Sequence, residues 1–94
     1  MQGVFVNYHF NKSAFKHGIT ETDIKTAMAT AVVDELMQGS DNKYLVIGFD
    51  RNSNPIEVMY NLLDEDTAKV FHAMRCRNEY WKKLGKRGYY AHFD

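Results

Sequence analysis

Three apolar, strand-patterned runs separated by short turns constrain this chain most. Lys43-Tyr44-Leu45-Val46-Ile47-Gly48-Phe49-Asp50 is the strongest of them, Ile56 to Leu63 follows after Arg51-Asn52-Ser53-Asn54-Pro55, and a third run starts at Ala68 after Asp64-Glu65-Asp66. Turns this short join antiparallel neighbours, because a parallel return needs a crossover of a dozen residues or more. The segment from 43 to 76 is therefore predicted to be a three-stranded meander.

The segments around it supply the remaining elements. Val4, Val6, Tyr8 and Phe10 alternate with Phe5, Asn7 and His9, which predicts a first strand over residues 3–10. Asn11 to His17 allows one or two helical turns, with Gly18 placed as a left-handed end. Thr20 is a helix N-cap with Asp23 three positions on, Ile19 and Ile24 sit at staple positions, and Ile24, Ala27, Met28 and Ala31 continue an apolar stripe. Ala31 to Met37 fits either the end of that helix or a new strand, and the adjacent Val32 and Val33 favour the strand. Asn78 to Leu84 reads as a helix stopped by Gly85, and the aromatic tail 86–94 is expected to pack on the sheet or on a second copy of the chain. The order predicts one α+β domain over residues 1–94: a small antiparallel sheet with N-terminal helices and a C-terminal helix packed to one side.

Composition restricts the function classes. The chain has 94 residues, of which 45% are apolar and 14% aromatic, enough for one modest core. No run of apolar residues is long enough to span a bilayer, and the first residues lack a signal-peptide pattern, so a cytoplasmic protein with no membrane partner is expected. A single cysteine, Cys76, suits a reducing compartment, and neither it nor the histidines His9 and His92 has metal-ligand spacing, so no metal or other cofactor is expected. Net charge is zero, yet its distribution is uneven. Residues 21–66 hold ten acids against three bases, and residues 67–94 hold seven bases against two acids, which predicts one acidic and one basic surface.

The basic end begins in the run Val70-Phe71-His72-Ala73-Met74-Arg75-Cys76-Arg77. Residues two apart on a strand share a face, so Arg75 and Arg77 are expected to point together, with His72 opposite unless a bulge near Ala73 exchanges the faces. Two guanidiniums side by side suit a phosphate; the plainer reading is a salt bridge to the acidic middle segment. Metal-free RNA cleavage needs a base for the ribose 2′-hydroxyl, an acid for the leaving 5′-oxygen and cations for the phosphate charge. His17 and His72 are the candidate proton carriers, and Arg75, Arg77 and Lys16 the candidate phosphate holders. Tyr80 is a candidate stacking group, and Lys82 and Lys83 on the terminal helix are further candidate substrate contacts.

Lys16-His17-Gly18-Ile19, the acid-capped helix after it, the hairpins carrying Leu45-Val46-Ile47-Gly48, and a last strand running into His72-Ala73-Met74-Arg75-Cys76-Arg77 together resemble the BrnT branch of the RelE-like toxins. The resemblance spans about residues 10 to 84. It implies a ribosome-independent endoribonuclease, the toxin half of a toxin–antitoxin pair, neutralised by a small DNA-binding antitoxin protein. It carries over to Lys16, His17 and either Arg75 or Arg77. The alternative is a toxin-like module without catalysis that acts by binding a protein partner or as a homodimer. Zero net charge, and Phe10-Asn11 where the family has an aromatic–acid pair, favour that alternative.

Overall fold

The computed structural model describes residues 5–86. Their order is β1 (Asn7–Phe10), a 3-10 turn (Lys12–Phe15), α1 (Glu21–Ala29), β2 (Val33–Leu36), β3 (Lys43–Phe49), β4 (Pro55–Asp64), β5 (Thr67–Arg75) and α2 (Asn78–Lys86). The expected strand start at residues 3 and 4 and the aromatic tail beyond Lys86 lie outside the described residues.

The meander forms as expected: β3 pairs antiparallel with β4 and β4 with β5, while β2 adds antiparallel to β3. The strand order is β1-β5-β4-β3-β2. One expectation changes here, because β1 pairs with β5 in parallel and makes the sheet mixed rather than wholly antiparallel. The chain leaves β1, crosses one face as α1 and enters the sheet at the far edge as β2, and three antiparallel steps then bring β5 back beside β1 running in the same direction.

Helix α1 starts where the capping pattern places it. The Asp23 amide donates to Thr20 Oγ1 at 3.2 Å, and Ile19 packs on the core that buries Ile24. Ile24 and Ala27 lie against Val46, Val58, Tyr60, Val70 and Ala73 on one face of the sheet. Gly48 permits this approach: a Cβ on it would lie 1.8 Å from the Ala27 carbonyl oxygen, so no larger residue fits beneath the helix. Gly18 has φ +83°, the left-handed conformation that turns the chain between the 3-10 turn and α1.

The helices do not share one side of the sheet, which corrects the second expectation. Val33 and Ile47, on the face opposite α1, are packed by Tyr80 and Trp81 of α2. The reason lies in β3, where Leu45, Val46 and Ile47 are all buried in succession: a strand apolar on both faces needs a cover on each. Helix α2 also continues through Gly85 to Lys86 instead of stopping there, since a glycine ends a helix only where its backbone turns left-handed. Among the described residues, no helix is long and apolar enough to cross a membrane.

Candidate functional site

A bulge in β5 builds the site. Met59 pairs with His72 and Tyr60 with Val70, which leaves Phe71 as the extra residue. Val70 and Ala73 consequently face α1, while His72, opposite Met59, faces the α2 side. The bulge also exposes a carbonyl that the ladder cannot use. Ser13 of the 3-10 turn donates to that Phe71 oxygen at 2.6 Å, and the Asn11 amide donates to Val70 O at 2.9 Å, so the turn is fastened over the bulge. His17, just past the turn, then lies against His72 with ring centroids 5.6 Å apart and planes at 73°.

Glu57 is the hub beneath this pair. It lies in β4 on the same face, opposite Met74, and its side chain has 0% exposure. The Arg77 side chain donates from Nη2 to Oε2 at 2.7 Å and from Nε to both oxygens at 3.1 Å, and the Arg77 backbone amide donates to Oε1 at 2.9 Å. His72 Nε2 meets Oε2 at 2.8 Å. Burial pushes the Glu57 carboxyl up, but the hydrogen bonds from Arg77 and His72 outweigh it and hold it below the ordinary carboxylate range. An ionised carboxylate only accepts, so His72 carries its proton on Nε2 and has Nδ1 for other chemistry.

The arginines separate, contrary to the expectation that they share a face. Arg75 pairs with Ile56 on the α1 face, where its charge helps lower Asp50, whereas Arg77 has left the strand and caps α2, its carbonyl accepting from the Trp81 amide. Arg77 thus realises the salt bridge to the acidic middle segment. Its guanidinium also stacks on Tyr80, 5.2 Å from the ring centroid, and Tyr80 is half-buried against the Val33–Ile47 cluster. Lys16 is exposed beside His17, Lys82 is exposed on α2, and Lys83 forms an ion pair with Glu35. Burial, reinforced by the Glu57 charge, pushes the Cys76 thiol up to about 12, so it stays protonated and is no nucleophile near neutral pH. His17 is exposed and His72 half-buried, and neither lines the two clefts formed by Met37–Gly39, Asp41 and Lys43 and by Glu35, Leu36, Leu45, Tyr80 and Lys83.

Glu57 is the residue that sequence reasoning missed. Its signal was present as a lone acid between Ile56 and Val58 in an otherwise apolar strand. Such an acid is either solvated or paired, and only the cover over both faces decides which.

No curated protein and no solved structure matches this chain. Residues 6–75 match the sequence profile described as a domain of unknown function, DUF4258, a span that runs from the edge of β1 to the end of β5 and contains His17, Glu57 and His72. With 70 of its 94 residues inside that match, the chain belongs to the DUF4258 family.

Proposed function

We propose that this chain is a metal-independent endoribonuclease and the toxin half of a toxin–antitoxin pair, as its resemblance to BrnT-like toxins implies. The observation that supports the reading is the contact between His17 and His72, with His72 held from behind by a buried carboxylate. A carboxylate–imidazole pair fixes the tautomer and stabilises the imidazolium that forms when the ring takes a proton. A second imidazole beside it supplies the complementary role. One ring removes the proton of a ribose 2′-hydroxyl; the 2′-oxygen attacks phosphorus, the P–O5′ bond breaks, and the other ring gives its proton to the leaving 5′-oxygen. The products are a 2′,3′-cyclic phosphate and a free 5′-hydroxyl. Lys16, adjacent to His17, is the nearest cation in sequence for the phosphate charge, and Arg77 serves by holding Glu57.

Purified chain is incubated with end-labelled single-stranded RNA in the presence of a chelator, and the new ends are mapped. Cleavage leaving a cyclic phosphate is expected, slowed on the order of 100-fold or more in His72→Ala and in His17→Ala. Substrate with 2′-deoxyribose at the cut position is expected to stay intact. If the native chain cuts no RNA and its expression does not slow growth, the nuclease reading is lost and the non-catalytic module, binding a protein partner, takes its place. That alternative draws on Arg77, whose Nε and Nη2 are occupied by Glu57 and not presented to a phosphate.

A further inference from the structure

The α2-side face of the sheet continues past His72 into a region that the catalytic reading does not use. Lys43, Asn61 and Lys69 form one lateral row across β3, β4 and β5, with each neighbour in direct register. The next row holds Leu45, Met59 and His72. Phe71, the bulge residue, lies between the rows: its ring is half-buried, and Lys43 Nζ stands 6.0 Å from the ring centroid, which places the ring on this face.

The charges on this face are sorted. Glu57 is ion-paired with Arg77 and Glu35 with Lys83. Among the described residues, neither Lys43 nor Lys69 makes an ion pair. An aromatic ring flanked by two such lysines, one residue from a histidine placed for phosphate chemistry, is complementary to a nucleobase and the phosphates on either side of it. Asn61 is less available, since its amide donates to Asn42 O at 2.9 Å.

We infer that Phe71, with Lys43 and Lys69, is a stacking subsite that binds one base of single-stranded RNA next to the scissile position. The inference rests on the RNA reading of the His17–His72 pair. Lys43 moves from the ring to a phosphate when the base enters, exchanging an exposed cation–π contact for stacking and a charge contact. Asp64 ends β4, and the Glu65-Asp66 turn leads into β5 ahead of Lys69. The same bulge that turns His72 toward substrate therefore also presents the ring that positions it.

The test uses the whole chain and a short, mixed-sequence, fluorescein-labelled 2′-O-methyl RNA, which cannot be cleaved, with binding followed by fluorescence anisotropy. Phe71→Leu, which keeps an apolar group in the sheet, is expected to weaken binding about 5- to 30-fold, while Phe71→Tyr binds like the native chain. Lys43→Gln and Lys69→Gln are each expected to lower the slope of log affinity against log salt by about 0.7. The inference is overturned if Phe71→Leu binds as the native chain does, if a duplex of the same sequence binds as tightly as the single strand, or if the native chain does not bind. A chain that binds RNA through Phe71 but cuts none overturns the nuclease reading alone. One that cuts RNA with KM unchanged by Phe71→Leu overturns the subsite alone.

Discussion

Glu57 carries the largest local consequence in the molecule, because a carboxylate with no exposure must be matched where it lies. Arg77 matches it in fork geometry, and His72 takes the remaining acceptor direction. Removing the Arg77 side chain leaves a buried charge held only by His72 and the backbone amide of residue 77. Arg77→Ala is expected to cost about 2–4 kcal/mol, below the full value for a buried pair because the arginine side chain is 43% exposed. Urea unfolding measures this, and replacing both residues in Glu57→Leu/Arg77→Leu is expected to restore much of the loss. A double variant as unstable as the single one would show that the pair contributes beyond compensating its own charge.

The same residue gives stability a pH dependence. The folded carboxyl titrates below its unfolded value of about 4.3. Its contribution is therefore complete above that unfolded value and is lost as pH falls through the lower, folded one. Asp23 and Asp50 are lowered as well, Asp23 mainly by its hydrogen bond from Arg51 and Asp50 by the Asn54 amide, so the native chain has several acid-sensitive groups. Unfolding midpoints compared between pH 7 and pH 3 are expected to fall less in Glu57→Gln than in the native chain. Equal slopes would remove Glu57 from the acid response.

Among the elements, the junction of α1 with β3 is the least tolerant. Gly48 meets helix backbone, which cannot swing aside as a flexible side chain does. Gly48→Ala is expected to cost about 3 kcal/mol or more, read as a fall in the thermal midpoint, since α1 must lift from the sheet. The capped start of α1 was legible because Thr20, Asp23 and the two isoleucines form a local pattern that works within one turn. The end of α2 was not legible from Gly85, because a glycine is compatible with both helix and stop. The bulge at Phe71 was foreseen only as a possibility two residues away. Its position depends on how β4 and the 3-10 turn meet β5, and Ser13 lies 58 residues from the carbonyl that it satisfies.

Across the whole molecule, protection should follow position in the sheet. β3, β4 and β5 each have strands on both sides, whereas β1 and β2 are edges. Hydrogen exchange is expected to be slowest in β4, at the centre, and in the buried stretches of β3 and β5, and fastest in β2 and the 3-10 turn, as local opening needs fewest contacts broken there. Fast exchange in β4 would contradict this sheet order.

The sequence by itself determined the α+β class, the meander, the start of α1 and the conversion of a strand into a helix after Arg75. Each of these is set by hydrophobic period, caps or turn length, which act over a few residues. Only the tertiary structure decided that β1 runs parallel to β5, that α1 and α2 lie on opposite faces, that Arg75 and Arg77 part, and that His17 meets His72 above a buried Glu57. The bulge at Phe71 sets His72 on the α2 side, the end of β5 at Arg75 parts the two arginines, and strand order and the covering of both faces decide the rest. A side-chain period of two makes such an insertion reverse every contact that follows it.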